Sequence, residues 1–413
     1  MLQPGDKHSD LSIMTTIYQH LGVDTIINAK GTATRLSGGT MPPEVAAAMQ
    51  EATQYCVDMT ELQGRASEII AGITGAEAGC VTSGAAAGLL LGTAACVTGL
   101  DPGKMNRLPD TRGMRNEVIV VRSQRNFYDH AVRATGIKLI EVGLADRYSG
   151  AGVRDAEVWE VADAISERTA CIFYVAAAQS QPALPELTRM AHQHGVPVLV
   201  DAAAQLPPVS NLKRFIEEGA DLLVFSGGKA IAGPQGSGIL CGRKALVAAA
   251  LLQTLDHDIL PQQWHPPAAL FADIELRGLP QHGIGRSCKV GKEQIIGLLV
   301  ALQRFVKHDH VQQNGVWRDW LEQLRAELAL GESVGVRLAI VEQPNGLPCL
   351  EVALLQAPAA DAALQLILAL EQGRPSIRTD PSRVHQGKIM INPSCLQHSD
   401  IALIAARLKQ LLQ

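Results

Sequence analysis

Lys229 stands in LLVFSGGKAIAGPQGSGILCG (222–242), just past an apolar, strand-like run and two glycines, and just before a Gly/Pro-rich loop. An amine placed there is partly desolvated, so its pKa falls towards that of a nucleophile. Asp201 closes the apolar run VPVLVD (196–201). Its carboxylate therefore belongs at the C-terminal edge of a sheet, where open α/β folds bind ligands. There it can pair with a protonated ring nitrogen and keep a heterocycle charged as an electron sink. The small Ala202 and Ala203 leave room for a flat ring. In VTSGAAAG (81–88) a short strand runs directly into an Ala-rich helix. The unpaired N–H groups and positive dipole end of such a helix form an anion site. Ser83 adds a hydroxyl, Gly84 lets the backbone come close, and Ser226 is a further phosphate contact. Taken singly, these are also an ordinary capped helix start, an N-cap aspartate and a loop lysine. Together they supply partners for the phosphate, the ring nitrogen and the carbonyl carbon of one cofactor.

The elements that must position these residues alternate. Strand-like EVIVV (117–121), KLIEV (138–142), CIFYV (171–175), VPVLVD (196–201), DLLVFS (221–226) and GILCG (238–242) are mostly separated by helical stretches at 156–165, 184–194 and 212–218. Near-continuous apolar strands between helices predict a parallel or mostly parallel sheet covered on both faces. Upstream, 11–21 reads as a short helix with Asp10 as N-cap. IINAKGTATRLSGG (26–39) reads as loop, and Met41-Pro42-Pro43-Glu44 opens a helix. A helix is expected over 66–74 and a long one over 292–307. Beyond 315, strands near VRLAIVEQ, CLEVAL and KIMIN and helices at 359–370 and the C-terminus read as a smaller α+β domain. The expected division is an N-terminal segment (1–60), a large domain (61–300) and a small C-terminal domain (301–413).

The segments INAKGTATRLSGG, GAEAGCVTSGAAAG, VDAAAQLPP, GADLLVFSGGKAIAGPQGSGILCGRK, GRSCKVGKEQIIGLLVAL and GRPSIRTD…GKIMINPSCL carry a resemblance. The sequence resembles the fold-type-I pyridoxal-5′-phosphate (PLP) enzymes of the selenocysteine-synthase-like family, in particular its D-glucosaminate-6-phosphate ammonia-lyase branch. The resemblance implies an α/β large domain with a mostly parallel, seven-stranded-type sheet. It makes Lys229 the Schiff-base lysine and Asp201 the pyridinium partner, with Ala203 beside the ring. Ser83, Gly84, Ala85 and Ser226 would hold the phosphate. Arg378 lies in the small domain, where relatives place a carboxylate-binding arginine. Arg35 and Arg286 are further substrate anchors, Arg65 and Lys289 weaker ones, since guanidinium pairs bidentately with carboxylate. Lys292 is expected simply to begin a helix. One departure stands out: Gln124 occupies the place where relatives often carry a histidine near the ring. Tyr128 and His130 nearby read as helix-surface residues. The implied activity is an α,β-eliminating lyase giving a 2-keto acid and ammonia from a hydroxylated amino acid or amino sugar acid. The same chemistry also serves racemases, aldolases and selenocysteine-synthase-type transferases. A homodimer or larger homo-oligomer is expected.

Bulk properties narrow the alternatives. The 413 residues suggest two domains, and the 47% of hydrophobic residues provides a large core. A net charge of −5 with no basic stripe argues against nucleic acid, including tRNA. The eight cysteines form no CxxC pair and read as buried thiols of a cytoplasmic protein. The polar start MLQPGDKHSD has no apolar signal core, and Ala85–Leu100 is too short to span a bilayer. His192/His194 and His308/His310, each two apart, do not share a helix face, so no metal site is expected. GPQGSG (233–238) precedes a strand instead of joining strand to helix, the wrong order for a dinucleotide fingerprint.

Overall fold

The computed structural model describes residues 16–144, 155–328 and 335–412. Its strands are β1 (Ile26–Ala29), β2 (Ala78–Thr82), β3 (Glu117–Val121), β4 (Lys138–Val142), β5 (Thr169–Val175), β6 (Val198–Asp201), β7 (Leu222–Ser226), β8 (Gly238–Gly242), β9 (Val336–Glu342), β10 (Pro348–Leu354), β11 (Ser376–Thr379) and β12 (Lys388–Ile391). The chain forms two compact units, Thr32–His310 and a second made of the residues up to Gly31 with those from Val311 on.

The larger unit is built on a seven-stranded sheet of order β2-β8-β7-β6-β5-β3-β4. Only β8 runs against its neighbours, antiparallel to both β2 and β7. The mostly parallel sheet expected from the apolar runs is therefore present. Strand residues alternate between two cores, as a period of two requires. Ile119, Val121, Ile172, Val198, Val200, Leu223 and Phe225 enter one core, while Val118, Val120, Phe173, Leu199, Leu222 and Val224 enter the other. Burial on both faces is why these strands read as unbroken apolar runs. Helices α1 (Ile17–His20), α2 (Pro43–Ala52), α3 (Met59–Thr74) and α4 (Ala85–Thr98) come first in the chain. Of these, α4 packs into the second core through Leu89, Leu91 and Ala95, while α3 covers the first with Ile70.

Being first in the order, β2 lies at the edge of the sheet, with backbone groups that no strand pairs. The edge is covered by side chains of α3. Gln63 Nε2 donates to Val81 O at 2.8 Å, and its Oε1 accepts from Val81 N at 3.0 Å. Ser67 Oγ accepts from Gly79 N at 3.1 Å. These bonds satisfy buried backbone groups that would otherwise cost stability.

The other unit holds an antiparallel sheet β12-β10-β9 and the two-stranded parallel pair β1-β11. Leu321, Leu324, Leu350, Val352, Ile367, Leu370, Ile404 and Leu408 form its core, with Ile27 and Ile377 from the parallel pair. Residues 26–29 are thus a strand, a correction to the loop expected there. Its partner lies at the far end of the chain, so no local signal marks it. The helix expected over 11–21 is seen as Ile17–His20, capped by Thr16; Asp10 lies outside the described residues. Of the cysteines, Cys80, Cys171, Cys241, Cys349 and Cys395 are buried but Cys56 is exposed. Burial pushes the Cys80 and Cys241 thiols up to about 12.

Candidate active site

Strand register brings the expected residues to one edge of the sheet. Gly238 of β8 is the Cα partner of Thr82 on one side and of Ser226 on the other. Ser226 and the Ser83–Gly84 turn therefore flank a single glycine, about 10 Å apart at the usual strand spacing. Asp201 ends β6 and is the Cα partner of Val224 in β7 and of Val175 in β5. Lys229 follows three residues after β7 ends. The C-terminal ends of β2, β6 and β7 thus carry the anion turn, the carboxylate and the amine.

Close backbone contacts require the glycines. A Cβ on Gly238 would sit 2.5 Å from Gly84 C and 2.7 Å from Ala85 N, so a side chain there would push the start of α4 away. Gly84 itself, at φ 103°, adopts a conformation other residues avoid. No side chain caps α4, and a Cβ built on Gly84 would meet nothing within 4 Å, so the first turn opens onto free space. Thr82 Oγ1 donates to Gly84 O at 2.9 Å and steadies the turn. Ser83 Oγ donates to Cys288 O at 2.9 Å, so its one O–H would have to turn from that carbonyl to donate to a phosphate.

The lysine turn folds back on the loop after it. Gly227 N donates to Ser237 O and Gly233 N to Gly227 O, both at 2.9 Å, and Ala232 N donates to Lys229 O at 2.8 Å. A Cβ on Gly228 would lie 2.5 Å from Gln235 Cα. Ala232 closes the turn at φ 57°, in the left-handed region that costs a residue with a Cβ about 1–2 kcal/mol.

The electrostatics suit a bound cationic ring and a nucleophilic amine. Asp201 is 8% exposed, and burial raises its pKa; the Ala203 N–H, at 3.0 Å from Oδ1, and the charge of Lys229 work against that rise. Burial lowers the pKa of Lys229, and Asp201 opposes this. Each group therefore feels the other's charge, and each is held by desolvation closer to neutrality than it would be in water. An anion pocket, a carboxylate short of a cation and a partly desolvated amine at one edge fit PLP. In that arrangement the first turn of α4 with Ser83 and Ser226 would take the phosphate, Asp201 the ring nitrogen and Lys229 the aldehyde carbon.

The cationic candidates sit on other elements. Arg286, in the turn Ile284–Cys288, gives Nη2 to Asp256 Oδ2 at 3.0 Å. Arg35, in the turn Thr34–Leu36, is exposed. Arg65 points outward and pairs with Glu68 at 2.8 Å, and Lys289 is exposed. Lys292 is the first residue of its helix, as expected. Arg378 belongs to the other unit, on β11, where Nη1 meets Glu371 Oε2 at 2.7 Å. Tyr128 and His130 are exposed, as surface residues should be. Gln124 is buried and bonded at both ends of its amide. Neither this role nor that of Gln63 beneath the anion turn is legible in the sequence, because a glutamine carries no local pattern that marks it as buried.

A model of the aminotransferase class-V family matches residues 147–255, the stretch that carries Asp201 and Lys229. The chain is 32% identical over 405 residues to a 5′-C-glycyluridine monooxygenase-decarboxylase from a Streptomyces species, covering 96% of this chain and 92% of that protein. It is 27% identical over 405 residues to the D-glucosaminate-6-phosphate ammonia lyase of Salmonella typhimurium, covering 96% and 98% respectively. A solved structure of D-glucosaminate-6-phosphate ammonia-lyase superposes with a TM-score of 0.78 at 27% identity, covering 97% of this chain and 99% of that one. Near-full-length kinship of this kind, over a sheet that delivers an amine, a carboxylate and an anion turn to one edge, means that the chain belongs to the fold-type-I, aminotransferase class-V family of PLP-dependent enzymes.

Proposed function

We propose that this enzyme is an ammonia-lyase-type α,β-eliminating lyase acting on a hydroxylated amino acid or amino sugar acid. The observation that carries the reading is the pairing of Lys229 and Asp201 at one sheet edge, with the amine's pKa lowered by burial. When bound, PLP supplies an electron sink that makes a proton on the carbon bearing the amine removable. Asp201 favours the protonated ring nitrogen by giving its buried carboxylate a cation to face. Lys229 would anchor the cofactor, and its partly desolvated amine would serve as the base that removes the Cα proton. The β-hydroxyl departs as water and a water is taken up again on hydrolysis, so the net change is one substrate giving one 2-keto acid and one ammonia. The first turn of α4, Ser83, Gly84, Ala85 and Ser226 hold the phosphate in this reading, and Ala203 lies beside the ring. Arg35, Arg286 and Arg378 are the proposed carboxylate anchors. The kinship to the ammonia lyase supports this assignment.

A second reading, oxidative decarboxylation by molecular oxygen, is favoured by the name and 32% identity of the Streptomyces relative. The two are separated by a panel of β-hydroxy amino acids and amino sugar acids assayed for ammonia and keto acid, alongside oxygen uptake and carbon dioxide release, with Lys229→Ala as control. Ammonia without oxygen uptake supports the lyase; oxygen-dependent carbon dioxide overturns it. We read the working form as a cytoplasmic homodimer or larger homo-oligomer, with no nucleic-acid partner. No described helix is long and apolar enough to cross a membrane.

A further inference from the structure

Gln124 follows β3, at the same sheet edge as Asp201. It is 7% exposed, and both ends of its amide are used on backbone. Its Oε1 accepts from Val175 N at 2.9 Å, and its Nε2 donates to Gln181 O at 3.0 Å. Val175 is the last residue of β5, and β3 itself has ended at Val121, so the glutamine adds a rung where the β3–β5 ladder stops. The two bonded residues are Val175, just before the excursion Ala176–Gln181 that leaves the sheet there, and Gln181, its last residue. Ser180 closes the excursion further, donating from Oγ to Val175 O at 2.7 Å. The next backbone group along, Ala176 N, donates to Asp201 O at 2.9 Å. A short bonded path therefore runs from Gln124 through Val175 and Ala176 to the residue carrying the buried carboxylate.

We infer that Gln124 is a positioning residue: by stapling both ends of the loop 176–181, it fixes that loop and the strand end of Asp201 for cofactor binding. This rests on the PLP-site reading above. The physical basis is the cost of order. Without the staple, the loop must be ordered when the cofactor binds, and that cost appears as lost affinity. Two backbone groups would also lose their partners, which an apolar side chain of similar size cannot replace. Gln124→Met tests both effects, because methionine keeps the length of the side chain and removes its donor and acceptor. Gln124→Glu keeps the acceptor for Val175 and loses the donor to Gln181.

The experiment titrates full-length protein with PLP by its visible absorbance and follows hydrogen–deuterium exchange over 176–181, with thermal melting as a control. Q124M is expected to bind PLP about tenfold more weakly, on the order of one lost buried hydrogen-bond pair. Its loop amides should exchange faster, and so should those of Q124E, which sets a carboxylate oxygen against Gln181 O. A Q124M protein that melts lower yet binds PLP with unchanged affinity and spectrum overturns the inference and leaves Gln124 a structural residue only. If Q124M does not fold, Q124E alone carries the comparison, with parental PLP affinity as the overturning result. A parent that gains no visible band with PLP, or a Lys229→Ala protein that keeps it, removes the site reading itself. A normal parent with an unaffected Gln124 series removes only the role of Gln124.

Discussion

At the scale of single residues, the site depends on how burial shifts two opposite charges. Lys229→Ala removes the amine placed to bond the cofactor in this reading. It should abolish the visible band and reduce turnover by at least about a thousandfold, as measured by absorbance and single-turnover assays. Asp201→Asn separates function from stability. The raised pKa of Asp201 means the folded state holds a proton longer than the unfolded chain does. Its contribution to stability is complete below the ordinary carboxylate range and is lost as pH rises through the raised value. At neutral pH the cofactor-free Asn variant should therefore be the more stable of the two, and the decline with pH should disappear from its melting curve. Its turnover should fall on the order of a hundredfold, because a neutral amide does not hold the ring nitrogen protonated. A cofactor-free variant that melts no higher than the parent would contradict the burial argument. The expectation for Lys229 and Asp201 rests on the apolar run that leads into each, so the end of the strand is visible in the letters themselves.

At the scale of elements, the anion turn is shaped from two sides. On one side Gly238 allows β8 to touch the start of α4, and on the other Gln63 ties α3 to β2. Gly238→Ala puts a Cβ against backbone with nowhere to move, so it should cost about 1–3 kcal/mol of stability and weaken PLP binding, seen in melting and titration. Gln63→Leu leaves the Val81 N–H and C=O without partners at a buried edge. It should destabilise by about 1–3 kcal/mol in denaturant unfolding and leave the amine chemistry of Lys229 in place. The glycines were visible in the sequence as GPQGSG and SGG, although their reason, contact with backbone of another element, was not. The role of Gln63 was invisible, because the edge it covers is created only when β2 takes the outer place in the sheet.

At the scale of the molecule, the two units use the chain differently. Thr32–His310 is continuous, whereas the other unit joins the N-terminal stretch to the C-terminal one through β1 and β11. A chain starting at Thr32 would leave Ile377 and the edge of β11 without a partner. We expect its C-terminal unit to become protease-sensitive and to lose several kcal/mol, checked by limited proteolysis against the full chain. The mostly parallel sheet and the strand-end places of Lys229 and Asp201 were legible in local pattern, since apolar runs, glycines and helix starts are properties of neighbouring residues. Tertiary structure alone decided the pairing of β1 with β11, the cover of the β2 edge and the two hydrogen bonds of Gln124. Each of these joins groups far apart in the chain, and a hydrogen bond between them has no cost or gain until the fold brings them together.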